Sequence, residues 1–205
     1  MPAIIDYYLV SVSPFAYLGH AELHAIADRH GATIRYKPMK LGEVWANSGS
    51  VPLGQRTPTR QRYRRIELQR IAEMRGLPLN LEPKFFPADP TLADRCVIAL
   101  TEQGADPEGF LGRVHKAVWA DEKNIADADT LAALLVDEGH DAGAAVAAAQ
   151  GAPVADIHDR NTKEAVAADA VGAPTYVLNG EPFWGQDRLD HLDHALKTGR
   201  GPYKG

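Results

Sequence analysis

From about residue 40 to residue 150 the chain carries almost no strand signal, while strands are readable on both sides of that block. The opening run "AIIDYYLV" at 3–10 is apolar and β-rich and reads as a buried strand. "SVSPFAYLGHAEL" at 11–23 then opens an amphipathic helix. Ser13 is placed at its N-cap and Pro14 at the first helical position, where a missing N–H costs nothing. Phe15, Leu18, Ala25 and Ile26 project onto one face, and Gly31 is the expected stop. "ATIRYKPM" at 32–39 reads as a second strand. A β-α-β order favours parallel pairing through a right-handed crossover.

The strandless block predicts helices near 57–75, 90–104, 107–119, 127–138 and 141–150, separated by "GLP", "GADPEG" and "EGHD". The alanine-rich "AGAAVAAAQG" fits a helix with small packing faces. After it, "DIHDRNTKEAVAADAVG" predicts one more helix, with Gly172 as its stop. "APTYVLNG" and "EPFWG" read as a hairpin turning at Asn179-Gly180, and "QDRLDHLDHAL" as a final helix. The expected order is β-α-β, a helical insertion, then α-β-β-α, which is an α/β fold.

Composition removes several classes of function. At 45% hydrophobic and 24% charged, the 205 residues can bury a core. A net charge of -5 gives no drive toward nucleic acid. Cys96 is the only cysteine, which excludes an intramolecular disulfide and a four-cysteine zinc site. "MPAIIDYYLV" has no basic segment or cleavage site, and no apolar run reaches the roughly 18 residues that span a bilayer. A cytoplasmic enzyme or binding protein, with no membrane partner, is expected. The eight histidines contain no H-E-x-x-H, and His191 and His194 lack a third ligand nearby in sequence, so no metal is expected.

Chemistry concentrates at the two ends. Ser13 is either a plain helix cap or a donor at an anion site, because a helix N-terminus carries partial positive charge and unsatisfied N–H groups. Trp184 is either a pocket wall or a core residue. "RTPTRQRYRRIELQR" holds six arginines, and Tyr63, Ile66, Ile71 and Met74 form one stripe that also contains Arg60. An arginine on an apolar face needs an anionic partner.

The element order resembles a thioredoxin fold carrying an all-helical insertion. "SPFA" at 13–16 stands where a disulfide oxidoreductase carries C-x-x-C, and "VGAPT" at 171–175 resembles the segment that places a cis-proline opposite that helix. With "VGAPTYVLNGEPFWGQDRL", the whole chain resembles the 2-hydroxychromene-2-carboxylate isomerases and their kappa-class glutathione transferase and DsbA-like relatives. The resemblance implies a thioredoxin-like domain from 1–38 plus 155–205 and a helical insertion domain at 39–154. It implies glutathione as cofactor, with Ser13 beside its sulfur as the catalytic residue. A cis Pro174 exposes the Ala173 backbone to pair with the cysteinyl part, and Gln186 and Asp187 receive the γ-glutamyl group. Arg60 is the candidate for a glutathione or substrate carboxylate, and Asn47 or Ser50 of "NSGS" stands where relatives carry asparagine.

The reaction implied is the glutathione-dependent interconversion of 2-hydroxychromene-2-carboxylate and trans-o-hydroxybenzylidenepyruvate, a step of aromatic hydrocarbon catabolism. The substrate is a small aromatic carboxylate, and Phe15, Tyr17, Trp45 and Trp184 are the candidate pocket residues. A homodimer is expected. The alternatives are a kappa-class-like glutathione transferase or peroxidase, which would keep its electrophile, and a non-catalytic thioredoxin-like binding module. A dithiol oxidoreductase is excluded by the missing C-x-x-C.

Overall fold

A computed structural model describes residues 2–203 and 205. Strands β1 (Ile4–Leu9), β2 (Thr33–Pro38), β3 (Thr175–Leu178) and β4 (Glu181–Trp184) form one sheet in the order β2-β1-β3-β4. β1 and β2 are parallel, and helix α1 (Pro14–His30) makes the crossover between them. β3 runs antiparallel to β1, with Tyr7 opposite Tyr176, and β4 closes the edge as a hairpin partner. The hairpin turn has positive φ at both central residues, 53° at Asn179 and 85° at Gly180. Asn-Gly tolerates that conformation better than other pairs.

Between β2 and β3 lie α2 (Leu41–Ser48), α3 (Pro58–Arg75), α4 (Thr91–Glu102), α5 (Glu108–Trp119), α6 (Ala128–Asp137), α7 (Ala142–Gln150) and α8 (Ala152–Ala167). The chain ends with α9 (Leu189–Thr198). Several starts are written in the sequence. Thr57, Asp127 and Asp141 each accept the N–H three residues on, and Pro58 fills the first position of α3.

The alternation of β1 divides the interior. Ile5, Tyr7 and Leu9 join Leu18, Leu23 and Ile26 of α1, Leu192 of α9, and Val97, Phe110 and Trp119 of the insertion in one continuous cluster. Tyr8 and Val177 face the other way, onto Met39, Val44 of α2 and Ala165 of α8. Full burial of one such large apolar side chain is worth about 1.5–3 kcal/mol. The insertion therefore shares a core with the sheet. Among the described residues, no helix is long and apolar enough to cross a membrane.

Four local expectations change. α2 and a short 3₁₀ turn at Leu53–Gln55 lie where no element was predicted. α8 stops at Ala167, with Asp169 rather than Gly172 in the left-handed region (φ 56°). The last helix begins at Leu189, because Gln186–Arg188 is a 3₁₀ turn. Ala25 is exposed, while His24, Ile26 and Ala27 are buried.

The largest correction is on α3. Most of the predicted stripe faces solvent, with Tyr63 58%, Ile66 45% and Met74 85% exposed; Arg60 is exposed as well, and of the stripe Ile71 packs inward. The packed side runs through Gln61, Arg64, Leu68, Ile71, Ala72 and Arg75. Arginine stems cover apolar surface while their heads stay polar, so a charged position can be the inward one.

Candidate active site

Ser13 stands where β1 turns into α1. Its N–H donates to the Val10 carbonyl at 3.0 Å, closing a tight turn, and its Oγ accepts the Ala16 N–H at 3.3 Å. It is therefore the cap that the sequence implies. Its hydroxyl also donates across 3.5 Å to the Ala173 carbonyl. Ordinary O–H···O bonds span about 2.5–3.0 Å, so this proton is weakly engaged and free to turn to a better acceptor. An anion at this spot meets both the hydroxyl and the N-terminal end of a 17-residue helix.

The 171–174 segment faces that helix end. The Ala173–Pro174 bond is cis, as the resemblance implied, and so is Phe86–Pro87. The Gly185 N–H donates to the Pro174 carbonyl at 2.8 Å, and Thr175 Oγ1 donates to the Gly172 carbonyl at 2.7 Å. Ser48 and Ser50 both donate to the Val171 carbonyl, at 3.0 and 3.3 Å. Ser50 thus braces the loop, and Asn47 is exposed. Among the described residues the Ala173 N–H has no hydrogen-bond partner. That N–H, and the weakly held Ala173 carbonyl, are the backbone groups left available next to Ser13.

Two indoles flank the same loop. A Cβ added at Gly172 would lie 3.0 Å from Trp184 Nε1 and 3.4 Å from Trp45 Nε1. The structure brings together these two residues, which are far apart in sequence, and Trp184 is half-exposed rather than core. Arg56 lies over the Trp45 ring and Arg64 over the Phe15 ring, with guanidinium carbons 5.6 and 5.9 Å from the centroids. Burial, then the charges of Arg56 and Arg65, push the Arg64 guanidinium down to about 10. A bound anion would relieve that destabilised cation. Arg64 also lines a cleft of about 290 Å³ with Leu53, Gln61, Leu81, Phe86 and Trp119. Arg64, one turn on from Arg60, is a candidate site residue that sequence reasoning missed. The pattern of packed positions on α3 was its only signal.

Gln186 is buried, and its Oε1 accepts from Arg75 at 2.9 Å. α1 can approach it because Gly19 has no side chain: a Cβ there would sit 2.7 Å from Gln186 Cβ. Asp187 is exposed and pairs with Arg188 at 2.7 Å. None of the four expected pocket residues, Phe15, Tyr17, Trp45 and Trp184, lines the cleft itself, and Tyr17 is turned away from the loop. Its ring belongs to the core and its hydroxyl donates to the Pro78 carbonyl at 2.8 Å. Cys96 is fully buried, and burial followed by the Asp94 charge pushes its thiol up to about 12, so it is no nucleophile at neutral pH. Among the described residues no three potential metal ligands cluster.

A four-stranded sheet, a cis-proline facing a helix N-terminus, and a serine there in place of a redox cysteine define a thioredoxin-type protein with no dithiol of its own. The chain belongs to the DSBA-like thioredoxin domain family, whose match spans residues 4–197, and within it to the 2-hydroxychromene-2-carboxylate isomerases. It is 32% identical to the 2-hydroxychromene-2-carboxylate isomerase of Pseudomonas putida over 197 residues, covering 94% of each chain. A solved structure of a 2-hydroxychromene-2-carboxylate isomerase superposes with a TM-score of 0.79 at 28% identity, covering 95% of each chain. Glutathione S-transferase kappa 1 of Caenorhabditis elegans is 28% identical, over 94% of this chain and 90% of its own.

Proposed function

We propose that the protein is a glutathione-dependent isomerase interconverting 2-hydroxychromene-2-carboxylate and trans-o-hydroxybenzylidenepyruvate. The observation that carries this reading is the weakly held Ser13 hydroxyl, at the N-terminus of α1, facing the open backbone of Ala173. The donor set suits glutathione. Ala173 offers a free N–H and a carbonyl to an extended peptide, as a strand edge does. Gln186 and Asp187 lie where an amino acid end group could be received. Arg56 and Arg64 supply cations for carboxylates.

Bound glutathione would supply a thiolate that adds to the conjugated carbon of the ring-opened substrate, makes the double bond single for rotation, and then leaves unchanged. Ser13 holds that negative charge by its hydroxyl, and the end of α1 adds partial positive charge. Trp45, Trp184 and Phe15 pack the aromatic ring, and Arg64 takes the carboxylate. The site lies on the seam between a thioredoxin-like part, 1–38 with 155–205, and a helical part, 39–154, and this is the division we propose. A cytoplasmic setting and a homodimer belong to the same reading. The dimer is supported by the exposed stripe of Tyr63, Ile66 and Met74, which a second copy would cover.

The test is incubation with the chromene acid, with and without glutathione, read by absorbance. The expected result is conversion that needs glutathione and consumes none. Accumulating conjugate favours the transferase reading, and conversion without glutathione removes the thiol mechanism.

Asp187→Ala is expected to weaken glutathione binding about tenfold with little change in kcat. One charge-assisted hydrogen bond remote from the sulfur is lost, and exposure keeps its value near about 1.5 kcal/mol. Unchanged affinity by calorimetry takes Asp187 out of the site.

A further inference from the structure

The turn that aims Ser13 is clamped from behind by the helical insertion. Ser11, fully buried, donates its N–H to Asp94 Oδ1 at 2.7 Å. Its carbonyl accepts from His115 Nδ1 at 2.9 Å. α4 and α5 therefore grip the same peptide residue, two positions before Ser13. Asp94 is 1% exposed, and its Oδ2 has no partner among the described residues. A carboxyl carried into the core for one backbone bond is a costly choice where a neutral amide could do the same.

We propose that Asp94 is a positioning residue of the Ser13 site: it fixes the Ser11 amide beneath the N-terminus of α1, and its charge competes with an anion held at Ser13. That the anion is a thiolate rests on the proposed function; the coupling itself does not.

Burial pushes the Asp94 carboxyl up to about 7, against the pull of its Ser11 bonds and with a further rise from Asp89. Its charge changes in the range where a site thiol ionises. The groups around it do not supply a counter-charge. Tyr7 of β1 and Cys96 of α4 are themselves pushed up, by burial first and by the Asp94 charge second. His115 of α5 is held neutral by burial, down to about 4. α7 brings no ionisable side chain. On β2, Arg35 is taken by Asp6 and Lys37 by Glu164, while Tyr36 interacts with Asp106 and Glu108. His158 of α8 interacts with Arg95, Lys40 and Asp159.

Ser11 and Ser13 are separated by at most roughly 7 Å of chain. Asp94 Oδ1 lies a further 2.7 Å from the Ser11 nitrogen. Two like charges within roughly 10 Å of each other, with an effective dielectric of about 20, shift each other's titration by on the order of one pH unit. The two groups then titrate as a pair. A thiolate opposed in this way is less stabilised and the stronger nucleophile for addition.

The test needs no glutathione. Ser13→Cys puts a thiol on the turn, and the rate of its alkylation by iodoacetamide against pH gives its titration; Cys96 is buried and silent. The expected result is that adding Asp94→Asn lowers that titration by about one pH unit and narrows it. Asparagine keeps an acceptor for the Ser11 N–H, so the fold is retained. Coupling is reciprocal. Carbon-13 titration of the Asp94 carboxyl should therefore move up by a similar amount in Ser13→Cys relative to wild type, with no change at Asp94 itself. With Ser13 in place, Asp94→Asn should move the acidic limb of the turnover profile down by the same unit. Superimposable alkylation curves, or an Asp94 carboxyl indifferent to the introduced thiolate, overturn the proposal. A shifted thiol in a protein that binds no glutathione overturns the proposed function and leaves the coupling standing.

Discussion

Ser13→Ala is expected to cut turnover at neutral pH by about 10- to 100-fold while leaving the fold intact. Two losses combine in this variant and differ in their signature. The cap bond to the Ala16 N–H disappears, at a cost of about 0.5–2 kcal/mol. A domain with the usual margin of about 5–15 kcal/mol survives that. The hydroxyl donor also disappears, and with it a hydrogen bond to the charged form of the thiol. Such bonds are worth about 1.5–3 kcal/mol, or one to two pH units in the thiol titration. Below its new midpoint the bound thiol loses roughly tenfold in thiolate per unit. Raising the pH should therefore recover part of the loss. The deciding measurement is the thiolate absorbance of bound glutathione against pH in both proteins. A serine that only caps predicts a small fall in Tm, superimposable thiolate curves and normal turnover, and that outcome would falsify the catalytic role.

The parts of this site that were legible in the sequence are those whose partners are close along the chain. Ser13 and Pro14 announce a helix start because capping is a local bond, and Asn179-Gly180 announces a hairpin because positive φ is a local demand. On α3 the most apolar stripe is not the inward one, so periodicity points to Arg60 rather than Arg64. In fact Tyr63, Ile66 and Met74 face out, while the Arg64 guanidinium lies over the Phe15 ring. Periodicity finds stripes, but which stripe is covered depends on the neighbouring elements. α2 was missed for a related reason. It is eight residues long, has no side-chain cap and buries only Val44. The partners of Gln186 and Asp94 are legible only in space. The first is bonded to Arg75, 111 residues away, and the second to Ser11, 83 residues away. As a letter, Asp94 is an ordinary acidic residue in the first turn of a helix, where the helix dipole already favours it.

Stability is expected to fall steeply as the pH drops from about 6.5 to about 4. His115 is the plainest cause. The Ser11 carbonyl can only accept, so Nδ1 carries the proton of this ring. Nε2 is then the basic nitrogen, and it is buried without a partner among the described residues. Protonating it places a charge where nothing receives it. Burial accordingly pushes the imidazole down to about 4. His158 is pushed down to about 4 by burial and by the charges of Arg95 and Lys40. His20 is lowered by burial and by His115 and His24. For each, the unfolded chain binds a proton near pH 6.5 that the folded chain refuses, so stability is lost as the pH falls below 6.5. A shift of that size is worth about 3 kcal/mol for one fully buried ring. Asp94 works the other way. Its carboxyl holds a proton in the fold up to about pH 7, which favours the folded state on acidification. Three imidazoles outweigh one carboxyl, and the net loss by pH 4 is several kcal/mol, a large share of a domain's margin. Denaturant midpoints measured from pH 7.5 to 4.5 should show this slope, and His115→Gln should flatten part of it. A midpoint constant across that range would mean that these rings take up protons in the folded protein as freely as in the unfolded chain.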